Sequence, residues 1–264
     1  MRFGYVGMVA LLFVCAAPVY AGRDNVVNSA VVDEDPASIR ALFDAASETA
    51  FYANDAYHAQ RMHQLFDRLT ATGVVDTGRG ADVYRSYIAA EEFAAARAFA
   101  ARNPSLALTP LPDIHSQQTR GGLQEWRIAP ADGALSSAPF ALPPGPFMLV
   151  AASNHCHFSL DSMRALEGTA YLATLAPRTR WLLRIGRDTD FREIGQWNQS
   201  YPDFPLSVVR HATSWKQIDS WNTPTFYFFH NARLVYKFSG WPKEGNFAEL
   251  RRGMDAAHFV DAAP

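Results

Sequence analysis

Cysteine is scarce in this chain, with two residues among 264, Cys15 and Cys156. That excludes a disulfide-stapled scaffold. An excess of charge of one sign is also missing. Lysine and arginine number 24 against 26 aspartates and glutamates, a formal net charge of −2. No basic stripe invites a nucleic acid, and no acidic run reads as a solvating tail. No long apolar run follows the N-terminal one, so nothing after it predicts a membrane span. What remains is ordinary globular material, 48% apolar and 13% aromatic, ample for a core.

The N-terminus reads as a targeting segment. Arg2 gives a weak positive start, Tyr5 to Ala17 is apolar but short for a bilayer, and Val19-Tyr20-Ala21 fits small-x-small cleavage. Residues 1–21 are therefore expected to be a secretory signal peptide, with Gly22 as the first mature residue and the periplasm or exterior as destination. A retained anchor is the competing reading. A lipoprotein signal fits poorly, because Val14 precedes Cys15 where a small residue belongs. Once Cys15 leaves with the signal, Cys156 is the sole cysteine in an oxidising compartment. It is then a reactive thiol, half of an intermolecular bridge, or a small buried apolar residue.

Residues 22–35 are polar and expected to be flexible. Asp35-Pro36 is a helix start, an N-cap followed by proline at the first helical position. Ile39, Leu42, Phe43, Ala46 and Ala50 follow at helical spacing, and Leu65, Phe66 and Leu69 resume the apolar face. A second helix fits Ala81 to Arg102, stopped by Asn103-Pro104. The periodicity thus predicts a helical hairpin over 36–103. Residues 104–145 read as a proline- and glycine-rich linker. Within it, Leu123 to Ile128 alternates as an edge strand or one arm of a β-hairpin.

From residue 146 the texture changes. Met148 to Ala152 is a continuous apolar run, the mark of a strand buried on both faces. A helix is expected over Ser159–Leu175, a strand over Trp181–Ile185, a helix over Phe191–Tyr201 and a strand over Leu206–Arg210. Two strands, Thr225–Phe229 and Leu234–Phe238, flank a hairpin turn, and a closing helix begins at Phe247. Alternating strands and helices predict a layered α/β domain over 146–264.

Cys156 falls after the buried strand and before a helix. Unpaired N–H groups and partial positive charge at a helix N-terminus favour a thiolate by about 0.3–1 kcal/mol, too little alone to ionise it fully at neutral pH. His155 and His157 flank it and can tune it if their rings come close.

This pattern resembles the thioredoxin-like superfamily, whose marker is a Cys-x-x-Cys at a helix start after a buried strand and, far downstream, a cis-proline. Cys156-His157-Phe158-Ser159 stands at the motif, and Thr223-Pro224 precedes the strand Thr225–Phe229. The final strand and Gly240 are similar to the family's ending, and the resemblance covers about residues 120–260. The extra strand and helix between Trp181 and Arg210 look most like the periplasmic TlpA-like and peroxiredoxin-like branches. The resemblance implies a three-layer α/β/α thioredoxin-like domain behind the N-terminal helical hairpin. Cys156 is then the nucleophile, and Thr223 and Pro224 line the substrate groove, with the Thr223 backbone pairing to a substrate strand.

Ser159 stands where the family keeps its resolving cysteine, so a bridge at Cys156 must be resolved by an outside thiol. Ser159 can still hydrogen-bond the sulfur. The expected activity is monothiol thiol–disulfide exchange, with no cofactor and no metal. Its expected partner is a cysteine-containing exported protein or a small thiol, with neither a nucleic acid nor, after signal cleavage, a membrane.

Three rivals stand beside this reading. A one-cysteine peroxidase would use Ser153, three residues before Cys156, but Leu149 occupies the place of that family's proline. A copper-type site at His155-Cys156-His157 lacks a second soft ligand cluster. A non-catalytic binding module with a relic thiol is the third. His58 and His63, and the pair Glu91-Glu92, read as solvated side chains.

Overall fold

The computed structural model describes residues 35–115, 122–128 and 133–259. The signal peptide read over 1–21 and the N-terminal stretch up to residue 34 lie outside the described residues.

Four helices open the described chain, α1 (Pro36–Ala53), α2 (Ala56–Ala71), α3 (Thr77–Ala89) and α4 (Phe93–Arg102). Each of the first three is capped by an aspartate. Asp35 accepts from the amides of Ala37 and Ser38 at 3.2 and 3.3 Å, Asp55 from His58 at 2.9 Å, and Asp76 from Arg79 at 3.0 Å. Two helices were expected here. The corners that make four are single residues in left-handed backbone, Asn54 (φ 47°) and Glu91 (φ 59°), which interrupt the helix without breaking the run of apolar residues.

One sheet follows, of eight strands: β1 (Ile114–His115), β2 (Leu123–Ile128), β3 (Leu135–Phe140), β4 (Pro146–Ala151), β5 (Thr179–Arg184), β6 (Leu206–Val209), β7 (Thr225–His230) and β8 (Arg233–Ser239). Their spatial order is β1-β3-β2-β6-β5-β4-β7-β8. Strands β4, β5 and β6 run parallel, while β7 lies antiparallel to β4 and β8 to β7. The 104–145 segment carries the β-hairpin read as possible there, with Leu123–Ile128 as one arm, β2, paired antiparallel with β3, and it adds the short strand β1. The alternative of an edge strand does not hold, because β6 pairs with β2 on its other side. Alternation marked it as half-buried but could not reveal a second strand neighbour distant in sequence.

Helices α5 (His157–Glu167), α6 (Leu172–Leu175), α7 (Phe191–Ser200) and α8 (Phe247–Ala256) are the remaining α-helices among the described residues. The helix expected over 159–175 is split at Gly168-Thr169 into α5 and α6. The β7–β8 turn is two residues, Asn231 (φ 50°) and Ala232 (φ 61°), both left-handed as a tight hairpin requires.

Period-two alternation on β4 divides the core. Met148 and Val150 face a cluster with Met163 of α5, Ile194 and Trp197 of α7, and Leu250 and Met254 of α8. The N-terminal helices join the same cluster, where Phe93 packs on Trp126 with ring centroids 5.0 Å apart. Phe147, Leu149 and Ala151 face the other way, toward Trp215 and Ile218. That second covering layer is thin, a single 3₁₀ turn at Ala212–Ser214 and the rings behind it, with Trp215 stacked on Phe140 at 5.0 Å. Among the described residues no helix is long and apolar enough to cross a membrane.

Candidate active site

The site forms where β4 ends. Ala152 N–H still donates to Leu182 O at 2.9 Å, and the chain then turns through Ser153, Asn154 and His155. Cys156 is the N-cap of α5. Its carbonyl accepts from the amides of Ser159 and Leu160 at 3.0 and 3.1 Å, which starts the helix.

Antiparallel pairing of β4 with β7 sets Ala151 opposite Thr225, so the residues just before β7 face the turn just after β4. This brings Thr223 to Cys156. The Cys156 thiol donates to the Thr223 carbonyl oxygen, with sulfur and oxygen 3.3 Å apart. The Thr223–Pro224 peptide is cis. Thr223 is half-buried and Pro224 buried, and Cys156 itself is half-buried.

Burial of the sulfur opposes ionisation. The Thr223 side chain, the amide and hydroxyl of Ser159 and the amide of Phe158 act the other way and prevail, holding the thiol below its ordinary value. All of these groups sit on the first turn of α5 or the Thr223 segment, so the shift comes from local hydrogen bonding at a helix start.

Ser159 is fully buried, and its hydroxyl accepts from the Ser153 amide at 3.3 Å, tying the turn to the helix. His155 Nε2 lies 2.9 Å from Asp188 O and 3.4 Å from a Glu193 carboxylate oxygen, so its ring is committed to the loop after β5. His157 is exposed and stacks against Phe158, ring centroids 3.8 Å apart. Neither ring is among the leading influences on the sulfur. The structure thus gathers Cys156, Ser159, Thr223 and Pro224 at one point, with the two histidines turned to other neighbours.

Several residues were invisible to sequence patterning. Asp188 and Glu193 hold His155 from more than thirty positions away. Tyr227 governs the approach to Thr223, its hydroxyl accepting from the Ser220 amide at 3.0 Å and lying 2.7 Å from Ser220 O and 3.1 Å from Asp219 Oδ1. Two readings of solvated side chains are corrected. Glu91 accepts from the His211 amide at 2.7 Å and keeps only 14% of its side chain exposed. His63 is 12% exposed, bonded to the Tyr87 hydroxyl at 2.7 Å and edge-on to Phe99. In both cases a residue distant in sequence covers a group whose own segment reads as surface.

The fold is thioredoxin-like. A central strand, a cysteine-headed helix, parallel neighbours on one side and an antiparallel hairpin preceded by a cis-proline on the other make that arrangement. No protein-family model matches the chain, and no curated protein matches it. Among solved structures it is similar to the exposed lipoprotein thioredoxin of Streptococcus pneumoniae strain TIGR4, at 16% identity over 43% of this chain and 87% of that one, with a TM-score of 0.35. An uncharacterized conserved protein from Geobacillus kaustophilus gives 15% identity over 57% and 82% of the two chains, TM-score 0.35. A thioredoxin-like protein from Bacteroides caccae ATCC 43185 gives 16% identity over 75% and 73%, TM-score 0.33. Strand order and the Cys156–Thr223 pair, not these partial overlaps, carry the fold.

Proposed function

We propose that this protein is an exported monothiol protein of thiol–disulfide exchange, with Cys156 as nucleophile. The observation that carries this reading is a half-buried cysteine at the N-cap of α5, against Thr223, with its thiol held below the ordinary range. The Cys156 thiolate attacks one sulfur of a partner disulfide. A new bond joins Cys156 to that sulfur, the old S–S bond breaks, and its electron pair leaves with the second partner sulfur as thiolate. Ser159 cannot supply a resolving thiol, so a thiolate from another protein or a small thiol attacks the mixed disulfide and frees Cys156. The cycle carries no net oxidation of its own and suits reduction of mixed disulfides or isomerisation.

Thr223 and Pro224 form the wall across from the sulfur. Half-buried Thr223 also offers backbone for an incoming strand. His155 and His157 flank the nucleophile on the solvent side. The inserted α7 and β6 support placing the chain near the TlpA-like branch. The signal-like segment over 1–21 supports a periplasmic or secreted setting.

Reaction with 5,5′-dithiobis(2-nitrobenzoate) tests the reading. The expected result is one Cys156-dependent release of coloured thiolate, faster than from free cysteine at neutral pH and absent in Cys156→Ser. Release no faster than from free cysteine would leave the binding-module reading in its place.

A further inference from the structure

A cleft of about 1410 Å³ separates the N-terminal helices from the thioredoxin-like part of the chain. One wall is α1 and α3, the other is α7 with the loop after β5, and the 106–112 strap closes one side. His155, the residue immediately before Cys156, lines it. We propose that this cleft receives an extended stretch of the polypeptide that bears the disulfide attacked by Cys156. The proposal rests on the thiol–disulfide reading above.

Size is the first reason. Pockets for small molecules run to about 300–1,000 Å³, and this cleft is larger, so a small thiol would leave most of it empty. Lining chemistry is the second. Asn54, Gln196 and Gln199 present amides, which both donate and accept and so match the peptide groups of an extended chain. Phe51 adds a ring that is 57% exposed and has no role in the core. The charges in the lining are balanced within the chain, Arg85 by Asp82 and Asp190 by its cap on α7, so no single charged ligand is called for.

Bracing is the third reason. Arg187 spans the walls, its guanidinium reaching Ser47 O at 3.3 Å and Ser47 Oγ at 3.2 Å on α1, and Asp82 at 3.2 Å on α3. Only 14% of that side chain is exposed. The next residue, Asp188, holds the His155 ring at 2.9 Å. The same short loop therefore fixes the far wall of the cleft and the His155 ring that lines it, one residue before Cys156. A chain laid along it delivers a disulfide to Cys156 as an intramolecular encounter, which raises the rate at low substrate concentration.

Two substrates carrying the same leaving group test this: an unfolded peptide of mixed composition, and cysteine alone, each joined through its sulfur to 2-nitro-5-thiobenzoate. In both, Cys156 bonds to the cysteine sulfur and the coloured thiolate departs with the electron pair of the broken bond. The expected result is a second-order rate for the peptide about tenfold above that for the small substrate, the factor that ~1.4 kcal/mol of binding gives. Gln196→Trp and Ala81→Trp, which fill the cleft from opposite walls, are expected to bring that ratio close to unity while the small substrate reacts unchanged. A ratio near unity in the wild type, or one untouched by both variants, overturns the proposal. Failure of both substrates overturns the thiol–disulfide reading, and this inference with it.

Discussion

Cys156 and Thr223 are 67 residues apart in sequence, and the Cys156 sulfur lies 3.3 Å from the Thr223 carbonyl oxygen. The contact is a product of topology. Strand β4 ends at the cysteine turn, β7 begins beside it, and their antiparallel pairing leaves no other place for the two loops. That pairing sets Thr223 against the sulfur, and the first turn of α5, with Phe158 and Ser159, supplies the other groups that act on it.

Removing the groups that favour the thiolate is expected to weaken it. Thr223→Val deletes a hydroxyl beside the sulfur, and Ser159→Ala deletes another. Each is expected to raise the Cys156 pKa and slow its alkylation at neutral pH, while leaving the fully ionised rate at high pH little changed. Absorbance of the thiolate near 240 nm against pH reads the shift directly.

Stability should carry the same signature. The folded-state pKa of Cys156 lies below its unfolded value, so the folded chain holds fewer protons in the interval between the two. Over that interval, stability rises with pH. The contribution is fully present above the unfolded pKa and is lost as pH falls through the folded one. Thermal denaturation of the wild type against Cys156→Ser, compared across pH, is expected to show a difference that grows in the wild type's favour toward the alkaline side.

Tyr227 is fully buried, and its hydroxyl fastens the 219–222 loop that leads into Thr223. Burial and the nearby Asp219 carboxylate push its own pKa up to about 12, with the Ser220 main chain acting the other way. The neutral phenol is therefore the folded form, and stability from this group is fully present below the ordinary tyrosine value and is lost as pH rises from there through about 12. Tyr227→Phe strands the Ser220 amide and is expected to cost about 1–3 kcal/mol. The loosened approach to Thr223 is expected to raise the Cys156 pKa as well, which a change confined to stability would not do. Denaturant unfolding and the thiolate titration measure the two effects.

Gly253 is where α8 lies against β7. A Cβ there would strike the Phe228 ring at several atoms, and Phe228 is itself fully buried with nowhere to move. Gly253→Ala improves helix propensity yet is expected to destabilise by about 1–3 kcal/mol through overpacking. A Tm above that of the wild type would contradict this packing.

Much of this arrangement was legible in the residues. The run Met148–Ala152 announced a doubly covered strand, Asp35-Pro36 a capped helix start, and Thr223-Pro224 before Thr225–Phe229 the segment that lies beside Cys156. Local patterns carry such features because each depends on a few neighbouring side chains. What was not legible depends on distant partners. Internal β2 needs β6, the orientation of His155 needs Asp188, and the helical cover needs Arg187 to reach Ser47 and Asp82. The two extra helix corners at Asn54 and Glu91 were hidden because the apolar run continues across them.

The pH profile of Cys156 alkylation by iodoacetamide tests the central claim most directly. The expected midpoint lies below that of free cysteine, with rapid labelling at neutral pH and none at this position in Cys156→Ser. A midpoint above that of free cysteine, with slow labelling at neutral pH, would contradict a nucleophilic Cys156.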